Sequence, residues 1–166
     1  MSAQPARPAD GNIAIDLLAD RAELAARLAE VFGQRNDPVE DVERRAAELL
    51  AGRRVIVWEG DPQTFQFTFV SQSAEAILGY PVAHWKEPGF WTTHVVHVED
   101  RSDAVAYCAL ATGQGRDHDF RYRAITADGR QVLLHDVVHV IPGRLGVAAK
   151  LRGLMIDVTG DPGTES

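Results

Sequence analysis

A single cysteine, Cys108, stands among 166 residues, so no disulfide within the chain can brace the fold. No apolar run approaches the ~20 residues that cross a bilayer. The opening MSAQPARPADG also lacks the apolar core of a signal peptide. Together these absences set the expectation of a cytoplasmic protein with no membrane partner. Positive charge is scarce as well: 17 Lys and Arg stand against 24 Asp and Glu, a net charge of -7. A general nucleic-acid or anionic-membrane surface needs clustered cations and is not expected. Catalytic signatures are missing too. There is no G-x-S-x-G, P-loop, G-x-G-x-x-G, C-x-x-C or H-E-x-x-H, and no histidine-kinase or cyclase motif. The chain is therefore expected not to be an enzyme.

Periodicity organises what is present. Residues 1–11 are polar and Pro-containing and read as a disordered lead. From about Ile15 to Phe32, Leu17, Leu24, Leu28 and Val31 recur at three- and four-residue steps, the apolar stripe of a helix. GQRNDP at Gly33–Pro38 breaks it. Asp37 as a capping carboxylate and Pro38 at the first helical position then start a second helix, with Val39, Val42, Ala46 and Leu49 on one side. Such stripes must be buried, against the chain's own sheet or against a second copy of the chain.

After Gly52 the period changes. RRVIVWEGD (Arg53–Asp61) reads as a strand, and Phe65, Phe67 and Phe69 alternate with polar residues as a second. Ser71 or Ser73 is placed to cap a short helix carrying Ala74, Ile77 and Leu78, which Gly79 ends and Pro81 keeps from continuing. Residues 79–99 fit short irregular helices, and Glu99–Ala111 a longer one. Three antiparallel strands follow, the first two joined at Asp128-Gly129, a tight-turn signal.

FVSQSAEAILGYPVAHW at Phe69–Trp85 resembles the opening of a PAS domain. FW at Phe90–Trp91, HVEDR at His97–Arg101, ADGR at Ala127–Arg130, LHDVVHV at Leu134–Val140 and GLMIDVT at Gly153–Thr159 continue the resemblance in the family's order, including its PAC-type C-terminal segment. It implies an α+β fold, a five-stranded antiparallel sheet with short helices on one face, preceded here by an N-terminal helical extension. The expected divisions are the lead at 1–11, the two-helix extension at 12–52, the sensory domain at 53–159 and a flexible tail at 160–166. A sensory and protein-interaction role in signal transduction is implied, with a homodimer through Leu17, Leu24, Leu28 and Val31 and a signalling effector in trans as expected partners. The tail GDPGTES, rich in helix breakers, departs from the family's helical C-terminal linker and puts that output route in doubt.

The resemblance further implies an apolar chamber for a small ligand, whose expected lining is Trp91, Tyr107, Phe120, Tyr122 and Val138. Tyr hydroxyls and Trp N–H groups in such a wall can orient a ligand. No cofactor is the leading expectation. Haem is the alternative, with His94 as axial ligand and Trp91 one turn before it. Six histidines give two metal-like spacings, His94/His97 and His135/His139, but a structural site needs four ligands, and ordinary capping or surface roles explain them better. The light-sensing relatives' N-C-R-F-L-Q block is missing, and Cys108 reads as a small buried thiol. His135 and Asp136, adjacent on a strand, point to opposite faces and cannot act together.

Overall fold

The computed structural model describes residues 21–161, with side chains from residue 26 onward. The expected lead, Leu17, the side chain of Leu24 and the last five residues lie outside the described residues.

The described residues divide into two compact units, 21–53 with 158–161, and 54–157. In the first, α1 (Arg21–Phe32) and α2 (Val39–Leu49) are joined by a turn in which Gly33 takes φ +65. A Cβ there would displace the ends of the Asp37 and Arg45 side chains, and the positive φ itself favours glycine. The expected cap does not form. Pro38 is the N-cap of α2, while the Asp37 carboxylate turns back to accept from the Gln34 amide at 3.1 Å and the Arg45 guanidinium at 3.0 Å. Arg45 also donates to the Val31 carbonyl at 3.1 Å, closing the end of α1 onto α2. Leu28, Val31, Val42, Ala46 and Leu50 are buried.

The second unit is built on five antiparallel strands: β1 (Val55–Gly60), β2 (Phe67–Val70), β3 (His118–Ile125), β4 (Gln131–Pro142) and β5 (Ala148–Asp157), in the order β2-β1-β5-β4-β3. Between β2 and β3 run α3 (Ser73–Leu78), α4 (Val82–Trp85), a π-helical turn (Trp91–Val95), a 3-10 turn (Val98–Asp100) and α5 (Arg101–Gly113). Strand alternation sends Ile56, Trp58, Tyr122, Leu134, Val138, Leu151 and Met155 to one face. There they join Leu78, Trp85, Phe90, Trp91 and Cys108 from the helical segment in one core.

Local chemistry departs from the sequence expectation at the β1–β2 loop and the serines. Phe65 does not enter β2. It sits at φ 61 in the β1–β2 loop, because Asp61 gathers the loop: its carboxylate accepts from the Gln63 and Thr64 amides and its carbonyl from the Phe65 amide. Neither serine caps α3, whose N-cap is Gln72. Ser71 Oγ accepts from the Val57 amide at 2.9 Å and Ser73 Oγ donates to the Val55 carbonyl at 2.6 Å, so both extend the β1 ladder beyond the end of β2. Gly79 does end α3, at φ +89. The β3–β4 connection spans 126–130, longer than a two-residue hairpin, with Gly129 at φ +90.

Candidate functional site

Where α5 and the Phe65 loop meet the concave face of the sheet, they leave a small chamber. Its floor is Trp58, Gly60, Asp136, Val138, Leu151 and Met155 from β1, β4 and β5, and its walls are Phe65, Phe67, Trp91, Cys108 and Phe120. The space open to the centre of a water molecule is about 20 Å3, room for about one water and far below the ~300–1,000 Å3 of a drug-sized ligand site. Phe65 and Phe120 are the half-buried members of this wall.

Asp136 is the one charged side chain among the lining residues. It is 1% exposed and shares strand parity with Leu134, Val138 and Val140, so its carboxylate enters the apolar core. Oδ1 accepts from Trp58 Nε1 at 3.1 Å and Oδ2 from the Tyr122 hydroxyl at 2.7 Å, while Trp91 Nε1 donates to the Tyr122 oxygen at 3.0 Å. Two hydrogen bonds do not offset the loss of water. Burial raises the acid's pKa to about 7, against the lowering effect of its Tyr122 and Trp58 bonds. Burial, with the Asp136 charge second, holds the Tyr122 phenol well above its usual range.

Cys108 borders the same chamber. Burial first, then the Asp136 charge, pushes its thiol up to about 12, which keeps it protonated and a poor nucleophile. His118 Nδ1 lies 2.8 Å from the Arg116 carbonyl, which can only accept, so that nitrogen carries a proton. Burial lowers the His118 pKa, and in the neutral ring Nε2, 3.3 Å from the Cys108 sulfur, accepts from the thiol.

Of the five residues expected in the lining, Trp91, Phe120 and Val138 lie in it. Tyr122 stands behind the wall, fully committed to Asp136 and Trp91, so the polar tips expected to greet a ligand bind each other. Tyr107 is outside the lining and 39% exposed. It precedes Cys108 by one helical residue, about 100° round the axis, and reaches only the edges of His118 and Phe120. His94 also lies elsewhere. It is exposed, its ring stacks on Phe90 at 4.9 Å, and it is not a lining residue. The residues that line the chamber therefore do not present His94 as an axial ligand to a haem held there. Of the remaining histidines, His135 pairs with Asp119 at 2.6 Å, His139 with Asp117 at 3.0 Å, and His97 Nδ1 accepts from the Glu99 amide at 3.0 Å.

A five-stranded antiparallel sheet with several short helices packed over one face defines a class of α+β sensory module. A family model described as the PAS fold matches residues 67–155, and the chain belongs to that family. Among solved structures, it is similar to the N-terminal domain of a diguanylate cyclase with PAS/PAC sensor from Marinobacter aquaeolei. The identity is 36%, over 63% of this chain and 95% of that one, with TM-score 0.59. A domain of a putative light and redox sensing histidine kinase from Haloarcula marismortui is 23% identical, over 70% and 99% of the two chains, with TM-score 0.54. A sensory box histidine kinase/response regulator from Burkholderia thailandensis is 21% identical over 70% and 84%, with TM-score 0.55. Those two likenesses speak to the fold alone. Among curated proteins none matches the chain significantly. No helix among the described residues is long and apolar enough to cross a membrane.

Proposed function

We propose that this PAS domain is a non-catalytic sensory and protein-interaction module of signal transduction. In this reading, occupation of the chamber around Asp136 by a small ligand changes how the domain meets its partner. The observation that carries the reading is the chamber itself: a nearly filled aromatic space with a carboxylate at its floor. A ligand entering it must move a wall, and a signal leaves only if the ligand favours one arrangement of the domain over another. Phe65 is the wall best placed to move, being half-buried, in a loop, and at a positive φ that bulky residues rarely hold.

The similar domain from Marinobacter aquaeolei belongs, by its description, to a diguanylate cyclase with PAS/PAC sensor. That likeness supports an output partner for this domain, a signalling effector in trans. A homodimer through the N-terminal helices is part of the same proposal, supported by the apolar stripe of Leu17, Leu24, Leu28 and Val31. Leu28 and Val31 are already buried in the single chain, so pairing would involve rearrangement of that stripe or extension of it through Leu17. A free, protonated Cys108 suits the reducing cytoplasm. Native mass spectrometry of the purified full chain tests the ligand and dimer together. A two-subunit mass carrying a small-molecule adduct is expected. A bare monomer at all concentrations, unshifted by a fragment library, would overturn both.

A further inference from the structure

We propose that the chamber selects a small organic cation, an amine, amidine or protonated heteroaromatic ring on an apolar body, with Asp136 as its counter-ion. This rests on the reading above that the chamber binds a ligand.

Charge sets the sign. The lining residues include no Lys, Arg or His, and Asp136 is their only ionisable group apart from the thiol of Cys108. An anion would meet a carboxylate in a desolvated space with no compensating donor of charge, so anionic ligands are rejected. A cation would meet its counter-ion. Asp136 has room to accept: an ionised carboxylate offers about four lone-pair sites, and the structure gives Oδ1 one donor, Trp58, and Oδ2 one donor, Tyr122. Both donors are neutral, so the ionised carboxylate present above about pH 7 is hydrogen-bonded without being neutralised.

The walls favour the same guest. Trp58, Trp91, Phe65, Phe67 and Phe120 bring aromatic rings to the space, and ring faces attract ammonium and guanidinium groups more strongly where water is excluded. A cation also answers the cost that burial imposes on the carboxylate, because the pair can share a desolvated site that neither ion tolerates alone. The groups facing Asp136 from neighbouring elements do not compete: Tyr122 on β3 and Cys108 on α5 are both held protonated through neutral pH. His118 on β3 touches Cys108, with its pKa lowered by burial.

The test uses the full chain and three probes that share one apolar body: benzylamine, benzyl alcohol and benzoate. Indole fluorescence reads their binding, since Trp58 and Trp91 line the site. At about pH 8, benzylamine is expected to bind roughly tenfold or more tightly than benzyl alcohol, with benzoate weakest. At about pH 5.5, where Asp136 takes up its proton while the amine stays charged, that preference should disappear. Asp136→Asn should also remove it, with the near-UV dichroism of the variant reporting that the chamber has formed. The pH series needs no variant, so it decides the matter even if the substitution prevents folding. Equal binding of amine and alcohol, unchanged by pH, overturns the cation preference and leaves the chamber reading standing. Failure of every probe to bind or to perturb the indoles overturns the chamber reading itself.

Discussion

Gly153 faces Trp58 across the β1–β5 ladder, and the indole lies where a side chain would be. A Cβ at 153 would fall 2.3 Å from the Trp58 ring, a distance no real contact tolerates. The ring has little freedom to retreat, being edge-packed on Phe67 at 5.6 Å and tied to Asp136 through its N–H. Gly153 is therefore what lets a tryptophan lie flat on the sheet and reach the carboxylate. Gly153→Ala should displace the indole, break its bond to Asp136 and cost about 1–3 kcal/mol, read by urea unfolding. Near-UV dichroism of the folded variant should change as well. A variant of wild-type stability with an unchanged near-UV spectrum would mean that Trp58 has an alternative seat.

At the scale of elements, the junction of β2 and α3 holds the helical segment to the sheet by side chains. Past Val70, the Ser71 hydroxyl replaces a strand partner for the buried Val57 amide, and Ser73 does the same for the Val55 carbonyl. Ser71→Ala should leave that amide unsatisfied and cost about 1–3 kcal/mol, with faster hydrogen exchange localised to the Val57 amide. A stability loss without local exchange would assign the serine a packing role instead. A second clasp lies at the HVEDR stretch, where the Asp100 carboxylate takes the Arg123 backbone amide at 2.8 Å and its guanidinium at 2.6 and 3.0 Å, fixing the start of α5 to β3.

These junctions show which parts of the fold a sequence exposes. Strand alternation, the glycine ending α3 and the breakers between helices are local signals, and they are legible because each depends on a residue and its immediate neighbours. The fates of Ser71 and Ser73 depend on β1 groups that folding brings beside them, so capping rules point them to the wrong partner. Asp37, by contrast, is taken by Gln34 and Arg45, and Phe65 is turned out of the strand period by the Asp61 loop bonds. Asp136 is an intermediate case. Its parity with Leu134, Val138 and Val140 is visible in LHDVVHV, and a carboxylate in the apolar parity of a strand is itself a signal. Reading His135 and Asp136 only as a failed pair passes over it. Trp58 and Cys108 could not be placed beside it, because strand register and helix rotation are not written locally.

For the whole molecule, the buried acid makes stability depend on pH in a direction opposite to most carboxylates. With its pKa at about 7 when folded and near 3.8 when unfolded, Asp136 holds a proton in the native state that the unfolded chain has lost. Between these two values the folded state binds more protons, so this contribution to stability falls as pH rises and levels off above about 7. Asp61, lowered by the Thr64 and Gln63 amides, and Asp100, lowered by Arg123, act the other way: they contribute stability above the normal carboxylate range and lose it on acidification. Those opposing terms are common to wild type and Asp136→Asn, so the difference between the two proteins isolates the buried acid. Measured by urea unfolding, the variant's stability relative to wild type should rise by about 2–3 kcal/mol between pH 5 and pH 8. Saturating benzylamine should shrink that rise, since a bound cation compensates the wild-type charge at high pH. A difference that stays flat across the range would mean that Asp136 ionises at an ordinary pH, with enough water reaching the chamber to solvate it.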